Sequence, residues 1–243
     1  MHNIKRKAAI YGHRGARGEC PENTMAGFAY ALAAGVTGFE TDISLTADLI
    51  AVLHHNPNLA DGRLIRDLNF ADLSGIPTLA QALAQFPHLN WLLEIKTFPP
   101  TPEKCLAPAL MVEKTLSAIA ASGISPDRIS ILAFDWSVLR EVATQAPTIP
   151  RVCLTAPDTE AEPALWWGVP GPVSTPQAVA DSGATAWAAH FETLSEHKIS
   201  EARALGLKIY SWTVNDPPQY ERLSPLIDII MTDYPTRFIP PPH

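Results

Sequence analysis

A chain of 243 residues accommodates one large α/β domain or two small ones, and a hydrophobic content of 47% is ample for a buried core. A formal net charge of −7 argues against a nucleic-acid-binding surface, which is normally basic. The three cysteines, Cys20, Cys105 and Cys153, are odd in number, widely spaced and outside any CxxC motif. They imply no disulfide framework and a reducing compartment.

Lys5-Arg6-Lys7 carries the charge of a signal n-region, but Ala8 to Tyr11 is too short for the apolar segment that would follow. The expected location is cytoplasmic, with a periplasmic or secreted mature form left open. Strand-like apolar runs follow in order: Ala8–Tyr11, Gly38–Leu45, Ile50–Leu53, Trp91–Ile95, Ile129–Phe134, Arg151–Leu154, Thr185–Ala188, Leu207–Thr213 and Ile227–Met231. Helical spacing lies between them. Met25, Phe28 and Leu32 precede a stop at Gly35; Leu110, Leu116 and Ile119 precede Gly123; Ile199, Ala202 and Leu205 precede Gly206. Continuous apolar strands alternating with helices predict a parallel sheet covered on both faces. With Ile50–Leu53 taken as a hairpin extension of the second strand, eight βα units remain, as in a (β/α)₈ barrel; an open doubly wound sheet is the rival.

Two segments depart from the alternation: the polar, turn-rich stretch 56–77 after the second strand, and the proline-rich stretch Thr155–Pro176 with its Trp166-Trp167 pair. Both are expected to pass over one face of the sheet, and the chain ends in Pro240-Pro241-Pro242. The longest uncharged stretches are Met25–Phe39, short and glycine-broken, and Pro163–Ala180, proline-broken. No integral membrane segment is expected.

Charged and titratable residues gather at the ends of the strand-like runs. Glu40 and Asp42 lie two apart on one strand and so point the same way, and Glu94 ends the next long strand. Acids on a buried strand are costly without a neutralising cation. A structural ion pair would serve; so would a divalent metal, and an all-carboxylate set favours magnesium, calcium or manganese. His13 and His55 both follow strands and precede loops, where histidine can work as an acid or base. Arg14 beside His13 and Lys96 two residues beyond Glu94 suit either an anionic substrate or simple pairing with the carboxylates. In Pro21-Glu22-Asn23-Thr24, Asn23 or Thr24 is a helix N-cap, and Glu22 is within possible range of a metal or ligand hydroxyl. Trp212 forms a pocket wall or packs in the core. His2, His88, His190, His197 and His243 lack an acidic setting and receive no role, and Cys20 reads as an incidental thiol.

With these pieces in order, the chain resembles the glycerophosphodiester phosphodiesterase family. The motifs are Tyr11-Gly12-His13-Arg14-Gly15, Pro21-Glu22-Asn23-Thr24, Phe39-Glu40-Thr41-Asp42, His55-Asn56-Pro57-Asn58-Leu59, Leu93-Glu94-Ile95-Lys96, Phe134-Asp135-Trp136, Ser211-Trp212-Thr213-Val214-Asn215 and Thr232-Asp233-Tyr234-Pro235. The resemblance covers nearly the whole chain and implies a TIM barrel, a single domain over residues 1–243 with a short cap insertion at about 56–77. It also implies metal-dependent hydrolysis of a small-molecule glycerophosphodiester to glycerol 3-phosphate and an alcohol. By that resemblance His13 and His55 are the general acid/base pair, Arg14 and Lys96 hold phosphate oxygens, and Glu40, Asp42 and Glu94 ligate one divalent cation (Mg²⁺, Ca²⁺ or Mn²⁺). The resemblance also selects His55 over His54, which the uniformly apolar run Ile50-Ala51-Val52-Leu53 leaves open. Two departures stand out: Asn56 replaces a common aspartate, and the insertion is short. A lipid-linked phosphodiesterase of lysophospholipase D type and a non-catalytic polyol-phosphate-binding barrel remain as alternatives; a homo-oligomer is compatible with the sequence.

Overall fold

The computed structural model describes residues 7–169 and 173–240; Lys5, Arg6, His2, His243, residues 170–172 of the proline-rich stretch, and Pro241-Pro242 lie outside the described residues. The apolar runs form nine strands: β1 Ala9–His13, β2 Gly38–Leu45, β3 Ala51–Leu53, β4 Asn90–Ile95, β5 Ile129–Ala133, β6 Arg151–Thr155, β7 Ala186–His190, β8 Lys208–Trp212 and β9 Ile229–Thr232. Eight run parallel in the order β1-β9-β8-β7-β6-β5-β4-β2, and β1 also pairs with β2, which closes the barrel; β3 lies antiparallel outside β2. The hairpin reading of Ile50–Leu53 and the barrel, rather than the open sheet, are therefore what the chain forms.

Among the described residues nine α-helices accompany the strands: α1 Met25–Ala34, α2 Leu79–Gln85, α3 Pro108–Ser122, α4 Trp136–Gln145, α5 Pro157–Ala161, α6 Pro163–Trp166, α7 Thr175–Asp181, α8 Glu196–Ala204 and α9 Pro217–Leu223. Helix ends follow local chemistry. Gly35, Gly123 and Gly206 take φ of 96°, 73° and 77°, the left-handed conformation that closes a helix. Thr78 and Gln81 cap α2 reciprocally. β9 is followed by a 3₁₀ turn, Pro235–Arg237, where the βα count expected a helix among the described residues. The insertion 56–77 carries only two 3₁₀ turns, Ile65–Asp67 and Phe70–Asp72. Among the described residues one helical stretch, Pro102–Ser122, is long and apolar enough to cross a membrane by length and composition. In the fold α3 packs between α2 and α4, with Met111, Val112, Thr115 and Ile119 buried.

Outward-facing side chains anchor the helices. Phe28 of α1 meets Phe39 of β2 and Trp91 of β4 at centroid separations of 5.1 Å each. Inside the barrel Tyr11, Leu92, Leu132, Val152, Leu154, Ala186, Ala188, Tyr210, Ile229 and Met231 form a separate apolar plug. That plug separates the polar side chains at the carboxyl ends of the strands from those at the amino ends. Gly12 permits the tight turn after β1: a Cβ there would lie 1.9 Å from the Gly15 carbonyl oxygen. Gly12→Ala should lower stability by roughly 3 kcal/mol in urea denaturation, because backbone rather than a mobile side chain blocks the added methyl; a midpoint within error of wild type would show that the loop re-forms freely.

Candidate active site

The pleat sends alternate residues of each strand inward. His13 (β1), Glu40 and Asp42 (β2), Glu94 (β4) and Lys96 just beyond it thus meet at the carboxyl end of the barrel. Register places Asp42 beside Glu94 and His13 beside Glu40. Glu40, Asp42 and Glu94 are buried, and each offers an oxygen within 4.8 Å of the others. A cavity of about 110 Å³ is lined by His13, Arg14, Glu40, His55 and Glu94 on one side and by Phe134, Leu154, Trp212 and Met231 on the other.

Burial and mutual repulsion dominate the carboxylates. Burial, then Asp42 and Glu94, push Glu40 well above the usual carboxylate range despite Arg14. Burial also raises Glu94, against the opposing pull of Lys96. Burial would raise Asp42 too, but Lys96 and then Arg14 overcome it and hold the group at about 2. Three acids face two cations, and Asp42 Oδ1 has no hydrogen-bond partner among the described residues; Lys96 Nζ is 3.6 Å away. Three converging oxygen donors, one of them unsatisfied, fit a hard divalent cation such as magnesium, calcium or manganese.

Both cations lie against the acids. Lys96 Nζ lies 2.6 Å from Glu94 Oε1. Arg14 adopts φ 52°, the left-handed region rare for a non-glycine residue, and its own amide donates to Glu40 Oε2 at 3.2 Å. Its Nε lies 3.1 Å from Asp42 Oδ2, too far out of line for a hydrogen bond, and so remains a buried donor without an acceptor. Glu22 takes Arg14 Nη1 at 3.2 and 3.3 Å and stands outside the carboxylate cluster. Thr24, not Asn23, caps α1 by accepting from the Gly27 amide. Asn23, at φ 54°, instead donates to Asp42 Oδ2 at 3.0 Å and accepts from Thr41.

The two histidines are held differently. His13 Nδ1 lies 2.6 Å from Asp233 Oδ1, and Nε2 lies 3.7 Å from Glu40 Oε2. Burial would raise Asp233, but its hydrogen bond and charge contact with His13, and Asn215, lower it. Asn215 donates to Asp233 Oδ2 at 2.8 Å and accepts from the Asp233 amide. His55 has a neutral partner: its Nδ1 lies 2.8 Å from Asn56 Oδ1. Burial and Lys96 depress His55 to about 4, against Asp42. His54 turns to the Asn56 backbone carbonyl and does not line the cavity.

Three contributors escape a reading of the sequence. Asp233 and Asn215 lie in the motifs of the last two strands, with nothing local to link them to His13. His190, given no role above, ends β7 in register with Trp212, and the two rings meet edge-to-face at 5.1 Å. Its position at an apolar strand end was the available signal.

A model of the family described as glycerophosphoryl diester phosphodiesterase matches residues 13–237. A crystal structure from Silicibacter pomeroyi, named for the same activity, superposes with a TM-score of 0.85 at 31% identity, covering 96% of this chain and 92% of that one. A phosphodiesterase of Oleispira antarctica, solved with its product sn-glycerol 3-phosphate, shares the fold at a TM-score of 0.77 and 21% identity, over 95% of each chain. The glycerophosphodiester phosphodiesterase of Caldanaerobacter subterraneus subsp. tengcongensis is 25% identical over 255 residues, 96% of this chain and 97% of that protein. The chain therefore belongs to the glycerophosphoryl diester phosphodiesterase family, and its reaction is hydrolysis of a phosphodiester.

Proposed function

We propose that the chain hydrolyses glycerophosphodiesters to glycerol 3-phosphate and an alcohol, with His13 and His55 as the acid/base pair, Arg14 and Lys96 on the phosphate oxygens, and Glu40, Asp42 and Glu94 as ligands of one divalent cation. The observation that carries this reading is the convergence of both histidines, Arg14, Glu40 and Glu94 on one small cavity. The product seen in the Oleispira antarctica neighbour is consistent with it. A bound divalent cation would neutralise charge on the phosphoryl group.

His55, held neutral near pH 7, accepts a proton from the attacking oxygen. His13, steered by Asp233 through Nδ1, works from Nε2 and returns a proton to the leaving alkoxide. The Arg14 Nε–H lacking an acceptor and the Lys96 ammonium supply donors already oriented before substrate arrives. The dry floor of Leu154 and Met231 excludes bulk water from beneath the reacting phosphate.

Glycerol 3-phosphate release from glycerophosphocholine tests this directly. His55→Ala should lower kcat at least about a hundredfold, the usual worth of acid/base catalysis. His54→Ala should cost far less. The reverse ranking, with both variants folded by circular dichroism, would overturn the assignment of His55.

A further inference from the structure

The barrel mouth is divided by chemistry. β1, β2 and β4 present ionic groups, whereas rings gather at or beyond the ends of β5 to β8. Phe134 follows β5, Trp166 lies on α6 after β6, His190 ends β7 and Trp212 ends β8. The rings touch in series: Trp166 to Phe134 at 6.4 Å, Phe134 to Trp212 at 5.4 Å and Trp212 to His190 at 5.1 Å, all edge-to-face. Phe134 and Trp212 line the catalytic cavity. Trp166 continues that wall from Phe134, and its chain neighbour Leu165 is 42% exposed. Trp167, by contrast, is stacked on Trp136 at 4.7 Å and buried, so only the first tryptophan of the pair serves the mouth.

We propose that this wall is a subsite for an uncharged, apolar substituent of the phosphodiester, with Trp166 as its specificity-determining residue; the inference rests on the reaction proposed above. A cavity of about 110 Å³ has room for little beyond a phosphate and a glycerol-sized group. The rest of the substrate must therefore pass along the rim, and on this side the rim is aromatic. A cationic alcohol would be the other natural guest of aromatic rings. That face is taken here: Lys96 Nζ already lies over the Phe134 ring, 5.8 Å from its centre, so a second ammonium finds the ring engaged. The acids nearest these rings in sequence, Asp135, Glu162 and Glu192, are engaged or exposed to solvent. Asp135 accepts from Thr97 and the Ser137 amide, and the Glu192 side chain near His190 is 65% exposed. An alkyl or aryl group buries area against the rings with no such penalty.

The apolar group could come from the alcohol or from an acyl chain on the glycerol, and three substrates separate these sources: glycerophosphohexanol, lysophosphatidylcholine and glycerophosphocholine. Expected is a kcat/KM for one of the apolar substrates about tenfold above that for glycerophosphocholine, roughly the worth of two buried methylenes. Preference for the hexanol ester identifies the alcohol as the source, and preference for lysophosphatidylcholine identifies the acyl chain. Trp166→Ala should lower that ratio about tenfold, and Trp166→Phe should retain most of it. Preference for glycerophosphocholine, or a ratio untouched in a folded Trp166→Ala, overturns the subsite. Binding of hexyl phosphate against methyl phosphate by calorimetry separates the two readings. If none of the diesters turns over, a Trp166-dependent preference of about tenfold for hexyl phosphate would uphold the subsite while the reaction assignment fails. Equal binding of the two phosphates would overturn the subsite.

Discussion

Exhaustive treatment with a chelator should reduce diester hydrolysis to background, and added magnesium, calcium or manganese should restore it. The expectation follows from the imbalance at Glu40, Asp42 and Glu94, where three buried acids meet Lys96, Arg14 and an unsatisfied Asp42 oxygen. Asp42→Ala should lose cation binding and activity while staying folded, since the remaining acids then balance the two cations. The pH dependence has a defined sign. Glu40 and Glu94 hold protons more tightly than ordinary carboxyls, so protons compete with the cation at pH values above the usual carboxylate range. Apparent cation affinity, measured by calorimetry, should weaken as pH falls and be accompanied by proton release. Full activity after complete chelation would sink the metal assignment.

Arg14→Ala and Lys96→Ala should each lower kcat/KM by roughly two to three orders of magnitude, the scale of removing a preorganised donor from a developing oxyanion. Both cations touch carboxylates in the free protein, so a purely structural role is the competing explanation. The two accounts differ in what they move. Loss of charge balance alone would lower the thermal stability of the cation-free protein and tighten cation binding, since one positive charge fewer then opposes it, leaving kcat/KM at saturating cation close to wild type. Loss of phosphate contacts would persist at saturating cation. Lys96→Arg should not rescue fully, because a guanidinium fork does not reproduce the ammonium held 2.6 Å from Glu94. Near-wild-type kinetics in both alanine variants would mean these cations serve only to balance the acids.

Much of this site is readable from linear order because its chemistry clusters at strand ends. Glu40 and Asp42 share a face through the two-residue pleat, and Glu94 joins them because β4 is the parallel neighbour of β2. Helix ends were equally legible at Gly35, Gly123 and Gly206, where local backbone conformation decides the matter. What escaped depends on tertiary closure. Nothing near Asp233 reveals that it will meet His13, and nothing near His190 reveals Trp212 as its neighbour. The choice between Asn23 and Thr24 as cap was open for the same reason: Asn23 is drawn away by Asp42 and Thr41, partners on another element. Barrel against open sheet likewise turned on whether the first strand pairs on both sides, which periodicity does not encode.

That double pairing of β1 has a consequence for how the protein acquires its activity. The His13–Asp233 contact spans a separation of 220 residues and lies across the junction where the last strand meets the first. During synthesis His13 is made 220 residues ahead of Asp233, the partner it meets across that junction. The acidic cluster needs only the neighbouring strands β2 and β4, whereas the His13 imidazole meets its carboxylate through the pairing of β1 with β9. The pairing that seals the cylinder is thus also the one that brings Asp233 to His13.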